Sequence, residues 1–383
     1  MRGDPSGLDV PRPSGAVEDL PAGCGLDGPA DRGGFSSVGR MAPVEGPHQP
    51  IGSADAGREH RVSVSIRPFT GATARSWRDV GLSHIFLWRL IVQVLPNVSV
   101  CIPAYRGENF LAETISSVLD QTYADFELVV LDNASPDDTG EIARSFRDPR
   151  VRVVTNDKTI PAPDNWRRAV ELCSAPLVKL VCADDLLHPR CLEMQVTAME
   201  ADPGLAMVAA RRHMIDESSR VLAPARGLNG LIGVRSGIEV ARRVVRSGVN
   251  PIGEPGSVLF RRADYTTVGG WSPLRPFTMD LDLWMRLLRC GDFLGLPDAL
   301  AAFRIGRQSM TVNNDEAIAL DQKAVIAGLV ARPELHVRWI DAAIGQLHAP
   351  LGRMRRRLLF SSANRDADHG GRPPQAPTAD NGY

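Results

Sequence analysis

From Asn97 to Asp185 the chain alternates short apolar runs with amphipathic ones, and that alternation constrains its fold more than anything else in the sequence. "NVSVCIP", "FELVVLD", "VRVVTN" and "LVKLVC" read as strands. Between them, "ENFLAETISSVLDQT" carries Phe110, Leu111, Ile115, Val118 and Leu119 at helical spacing. "SPDDTGEIARSF" opens as a helix, with Ser135 as cap, Pro136 at the first position and acids in the first turn. "APDNWRRAVELC" is a third helix. Strands alternating with helices predict an α/β fold with a mainly parallel sheet covered by helices. In such sheets ligands bind beyond the carboxyl ends of the strands. Pro103, Asp132, Asn156, Asp184 and Asp185 all fall at those ends.

"VCADDLLHP" places Asp184 and Asp185 side by side after an apolar run. Adjacent carboxylates repel unless a cation holds them, and a divalent metal beside a phosphate is the usual solution. The competing reading is a solvated turn in which an Asp caps the next helix. The absence of GxGxxG after the first strand argues against a dinucleotide-binding dehydrogenase, and the absence of GxxxxGK[ST] against a P-loop hydrolase. No GxSxG serine elbow is present.

Composition separates the ends from the middle. Residues 1–84 are rich in Gly, Pro, Asp, Arg and Ser and are expected to be a disordered extension. Residues 85–96 ("IFLWRLIVQVL" and its flank) are a short apolar lead-in, too short to span a bilayer and interrupted by Arg89 and Gln93. The segment 97–311 is expected to be the ordered domain, in two parts, 97–190 and 191–311. A helical segment at 312–360 and a disordered tail at 361–383 complete the division. The six cysteines form no CxxC pair, which favours free buried thiols over a zinc site. A net charge of −1 excludes nucleic-acid binding through bulk charge. "GRMRRRLLF" (352–360) sets a basic cluster beside apolar residues, consistent with a solvated helix face or with contact to an anionic membrane. The expected location is the cytoplasm, with peripheral contact at the inner face of the cell membrane.

"VSVCIPAYRGENFLAETISSVLDQTYADFELVVLDNASPDDT" resembles the opening half of a family 2 glycosyltransferase of GT-A fold, and "VCADDLLHP" resembles that family's metal and diphosphate motif. "NPIGEPGSVLFRR" and "VGGWSP" resemble its acceptor-side segments, and "MDLDLWMRL" the helix that carries its base. The resemblance implies an inverting transferase that moves a sugar from a nucleotide-diphosphate donor, UDP-sugar favoured, to a saccharide or lipid-linked acceptor, with Mg²⁺ or Mn²⁺. It implies that 97–190 is a nucleotide-sugar half and 191–311 an acceptor half, that Pro103, Tyr105, Asp132 and Asp184 bind the donor and that Asp185 holds the metal. Gly270 and Trp271 would lie on the acceptor side, Trp271 either stacking on a sugar or packing in the core. Asp280 would be the base, with Asp282 as runner-up. Three departures stand out: Arg106 where the family commonly has Asn, Gly306 where it often has His, and Met279 where it often has an acid. With that His absent, Arg304 or Arg307 is a candidate phosphate partner. The other readings are a sugar-nucleotide pyrophosphorylase and a non-catalytic binding protein of the same fold.

Overall fold

The computed structural model describes residues 95–306 and 314–368. The expectations for 1–84, for the apolar lead-in up to residue 94, for Arg307 and for the tail beyond 368 lie outside those residues. One ten-stranded sheet runs in the order β3-β2-β1-β4-β9-β6-β10-β5, with β7 on β6 and β8 on β10. Its first half comprises β1 (Val98–Ala104), α1 (Leu111–Leu119), β2 (Phe126–Asp132), α2 (Thr139–Ser145), β3 (Val151–Thr155), α3 (Ala162–Glu171) and β4 (Leu177–Leu180). All three pairings among β1 to β4 are parallel. The chain first builds outward from β1 to β2 and β3, then returns to the other flank of β1 as β4. That reversal opens a crevice at the carboxyl ends of β1 and β4, the usual ligand position in such sheets.

The second half is mixed. It comprises β5 (Leu186–Leu187), α4 (Cys191–Ala201), β6 (Leu205–Ile215), β7 (Val221–Arg226), β8 (Gly233–Arg235), α5 (Gly237–Ser247), β9 (Val258–Arg261), α6 (Arg262–Thr267), α7 (Met279–Leu287) and β10 (Asp292–Arg304). β10 lies parallel to β6, whereas β9 runs antiparallel to β4 and β6 and joins the two halves. Two further helices follow, α8 (Asp315–Val330) and α9 (Trp339–Asp368).

Strand alternation sorts the core onto two faces. Val98, Val100 and Ile102 of β1 and Leu128 and Val130 of β2 pack with Ile115, Val118 and Ala143 of α1 and α2. Cys101, Val129 and Leu131 face the other way, toward α3, α5 and α7. α5 has the cleanest start: Ser236 accepts the Glu239 N–H, and the Glu239 carboxylate returns to the Ser236 N–H.

Two local expectations are corrected. The helix expected at Ser135 starts only at Thr139. The Ser135 N–H is taken by Asp132 Oδ1 at 3.0 Å, so Ser135 closes a turn instead of capping a helix. The tail expected from residue 361 continues α9 as far as Asp368; the run "SSANRDAD" contains no Gly or Pro, and the first breakers are Gly370 and Gly371. Among the described residues the cysteines are free, with Cys101, Cys173 and Cys191 buried.

Candidate active site

The crevice at the reversal is a cavity of about 1200 Å³. One wall comes from the parallel half: Pro103 near the end of β1, Tyr105 and Arg106 after it, Asn133 after β2, and Cys182 and Asp184 after β4. The opposite wall carries Glu254, Met279 and Asp280. Backbone bonds hold the first wall: Asn133 N–H donates to Ala104 O at 2.9 Å and Gly107 N–H to Thr139 Oγ1 at 2.8 Å.

Pro103, Tyr105, Asp184 and Asp280 therefore line one space. Asp132 is buried beside the wall: it continues the face of Leu128 and Val130 beneath α2, and a Cβ on Gly140 would sit only 2.8 Å from its Oδ2. Its neighbour Asn133 emerges on the cavity side, fixed by Nδ2 donating to Ile160 O at 2.8 Å and by Oδ1 accepting the Ile160 N–H at 3.0 Å. Asn133 was not singled out from the sequence, although period-two alternation from Val130 was enough to distinguish it from Asp132.

The two adjacent acids differ in the same way. Asp184 lines the cavity. Asp185 is buried, and its Oδ1 accepts the Arg304 N–H at 3.1 Å. Arg304 is itself fully buried and holds this corner together. It donates to Asp184 O, to Asp216 O and Glu217 O in the β6–β7 turn, and to Glu113 on α1, while its guanidinium stacks 4.4 Å from the Phe110 ring centroid. With its donors so engaged, Arg304 is a strut, not a phosphate partner.

The electrostatics of this corner call for a cation. Cys182 Sγ and carboxylate oxygens of Asp184 and Asp185 lie within 4.8 Å of one another. Burial raises both acids, Asp185 most, with Asp184 pushing it further. Burial also raises the Cys182 thiol, followed by the fields of Asp185, Asp184, Glu254 and Asp280. Among the described residues the countercharge that acts on these acids is Arg304, whose guanidinium meets the carbonyl of Asp184 and not its carboxylate. A buried excess of carboxylate with an oxygen-rich opening fits a divalent ion. Gly306 also lines the cavity and brings no ligand of its own.

Asp280 stands in the first turn of α7, half-buried. Asn250 Nδ2 donates to its Oδ2 at 2.9 Å, and the Leu281 N–H to its Oδ1 at 2.7 Å. Desolvation is the main influence on its carboxyl and lifts it to about 7, helped by Glu254 and opposed by the two donors and by Arg212. Asp282 is committed elsewhere: its Oδ2 accepts from Arg286 Nε at 2.9 Å, and Arg286 also ties down Val268 O. A base that titrates near 7 must be ionised to work. Single-turnover transfer is therefore expected to fall tenfold per pH unit below about 7 and to level off above it, which a pH series at saturating donor checks.

The acceptor-side pair is a core feature. Trp271 is fully buried in an aromatic cluster with Trp166 at 5.1 Å and Trp284 at 5.8 Å between centroids, so it packs in the core and offers no face to a sugar. Gly270 takes φ of +66°, and a Cβ there would meet the Tyr265 ring at 2.7 Å. Arg106, in the family's Asn position, holds φ of +53°, a region that costs most side chains about 1 kcal/mol and that Asn tolerates. Arg106→Asn should stabilise the fold by about that amount, and urea unfolding measures it.

Residues 99–269 match Glycosyl transferase family 2. The chain is 28% identical over 249 residues to an uncharacterized protein of Mycobacterium tuberculosis (strain CDC 1551 / Oshkosh), covering 62% of this chain and 77% of that one. It is 35% identical over 102 residues to the Escherichia coli UDP-Glc:alpha-D-GlcNAc-diphosphoundecaprenol beta-1,3-glucosyltransferase WfgD, 27% of this chain and 40% of that one. Among solved structures it resembles the mannosyltransferase PcManGT from Pyrobaculum calidifontis in complex with GDP-Man and Mn2+, with a TM-score of 0.48 and 17% identity over 73% of this chain and 77% of that one. The segment 99–269, which carries the parallel half of the sheet and much of the cavity wall, is the part of the chain that matches glycosyl transferase family 2, and the chain is a glycosyltransferase.

Proposed function

We propose that the chain transfers a sugar from a nucleotide-diphosphate donor, with UDP-sugars favoured, to a hydroxyl of a saccharide or lipid-linked acceptor, with inversion at the anomeric carbon. The observation that carries this reading is one cavity with a cation-seeking cluster on one wall and a base titrating near 7 on the other. Tyr105, exposed and beside Pro103, offers a ring face to the nucleoside. Asn133, held by Ile160 and Asn156, fixes the shape of the wall against which the donor's base would lie.

Asp184, with Asp185 and Cys182 behind it, would hold Mg²⁺ or Mn²⁺ against the diphosphate. A bound divalent ion there offsets the charge that gathers on the departing nucleotide diphosphate. Asp280 accepts the proton of the acceptor hydroxyl as that oxygen attacks the anomeric carbon from the face opposite the leaving group. Asn250 keeps the Asp280 carboxylate oriented through that step. A single displacement with a single base inverts the centre.

The test is a panel of nucleotide sugars assayed for donor hydrolysis and transfer with Mn²⁺, with Mg²⁺ and with EDTA, the product anomer being read by NMR. Metal-dependent release of nucleotide diphosphate with an inverted product is expected. Formation of a nucleotide sugar from nucleoside triphosphate and sugar phosphate would instead establish a pyrophosphorylase. Failure of every donor to bind or react would overturn the enzymatic reading.

A further inference from the structure

α9 packs on α5 through one face and, among the described residues, leaves an apolar stripe beside that face exposed. The docked face is defined by Asp341, buried between Arg242 at 3.4 Å and Arg246 at 3.6 Å, and by two glycines. A Cβ on Gly345 would overlap Val245 O, and one on Gly352 would lie 2.8 Å from Val249 Cγ1, so the two helices approach closely there. His348 Nδ1 meets Arg246 O at 3.1 Å along the same seam.

About 110° round the helix from that seam stand Ile340, Leu347, Leu351 and Met354, with the partly buried Ile344 among them. Their spacing of four, three, four and three residues keeps them on one stripe. Leu347 is 78% exposed and Met354 51% exposed, and Trp339 at the head of the helix is 81% exposed. Such a stripe on a solvent face is an interaction surface. What it faces is decided by charge. Residues 345–360, "GQLHAPLGRMRRRLLF", contain four arginines and no acid. At 100° per residue Arg355 lies about 60° to one side of the stripe and Arg357 about 100° to the other; Arg357 also reaches Asp315 at 2.7 Å. Two copies meeting along this face in parallel would bring like charges together, whereas an anionic lipid surface meets both the apolar stripe and its basic margins. No helix among the described residues is long and apolar enough to cross a membrane.

We propose that the α9 face formed by Ile340, Leu347, Leu351 and Met354 and flanked by Arg355 and Arg357 lies in the plane of an anionic membrane surface and docks the enzyme there. The stripe enters the acyl boundary while the arginines meet lipid phosphates, and α5 holds the helix along the seam.

The test is co-sedimentation of the full chain at low salt with vesicles of phosphatidylcholine alone or mixed with phosphatidylglycerol. Binding to the mixed vesicles only, released by added salt, is expected. The variants Arg355→Glu and Leu347→Gln/Leu351→Gln should each weaken that binding by about tenfold or more. Both should keep the parent melting temperature and the parent rate of donor hydrolysis in solution, since none of the three residues lines the cavity. Absence of binding to phosphatidylglycerol vesicles at low salt overturns the proposal, as does binding that neither variant weakens. Light scattering provides a separate check: a dimer that Leu347→Gln/Leu351→Gln converts to monomer would make a second copy the occupant of the face and overturn the membrane assignment.

Discussion

Asp280→Asn is expected to collapse turnover while leaving donor affinity nearly unchanged. The amide matches the carboxylate in size, and α7 keeps its buried Leu281, Leu283 and Trp284. What is lost is the ability to take a proton near neutrality, and loss of a general base typically costs about 10²–10⁴ in rate. The donor wall belongs to β1, β2 and β4, so nucleotide binding should survive. The pH dependence should go with the base: the fall in rate below about 7 that marks the parent should disappear. Asp282→Asn supplies the control. It releases Arg286 from a 2.8 Å ion pair and loosens the tie to Val268, and its expected cost is a few-fold in rate with a lower melting temperature. Titration calorimetry with donor and single-turnover transfer on both variants decide the matter. If Asp282→Asn carries the large loss and Asp280→Asn does not, the base is misassigned; if neither slows transfer tenfold, α7 is not its source.

The parallel half of the fold was legible because strand and helix periodicities are local properties. β2 could be read to its last residue, Asp132. What was less legible is which member of an adjacent polar pair faces the cavity. Asp132 and Asn133 are both buried and differ in partners, Asp132 meeting the Ser135 N–H and Asn133 the Ile160 backbone, whereas Asp184 and Asp185 sit in the turn after β4 and differ in burial because Arg304 packs over the carboxylate of only one of them. The role of Arg304 as a strut was hidden for another reason: its partners Glu113, Asp184 and Asp216 are 191, 120 and 88 residues away along the chain. The Trp271 environment is likewise long-range, its carbonyl accepting from Arg167 NH2 on α3, 104 residues back. The apolar stripe of α9 could be seen in the spacing from Ile340 to Met354, but its exposure could not, because that depended on Asp341, Gly345 and Gly352 choosing another face for α5.

Asp184→Asn should abolish metal dependence and reduce metal-supported turnover by at least about 10², the cost typical of removing one preorganised charge-stabilising group. Asp184 is the acid that meets the cavity, and a neutral amide is a poorer partner for a hard divalent ion. Asp185→Asn should act differently. Asp185 receives the Arg304 N–H, so its loss disturbs the strut as well as the cation site, and about 10–100-fold weaker metal binding is expected, as for loss of a supporting partner. The metal-free proteins give a second readout. Both carboxyls are raised by burial above their ordinary value of 3.8, so the folded chain holds protons that the unfolded chain has already released. Its stability therefore falls as pH rises above that ordinary value and levels off once the folded groups have ionised. Replacing Asp184 by Asn removes one of the charges being forced together, so the metal-free variant should lose less stability than the parent over the same rise in pH. Added Mn²⁺ should raise the melting temperature of the parent at neutral pH and leave Asp184→Asn nearly unmoved. Calorimetric titration of Mn²⁺ with donor present, run beside thermal melts at several pH values, separates the two acids. An Asp184→Asn protein that still binds donor in a metal-dependent way with parental affinity would move the cation away from this residue, and an Asp185→Asn protein with the larger loss would assign it to the buried acid.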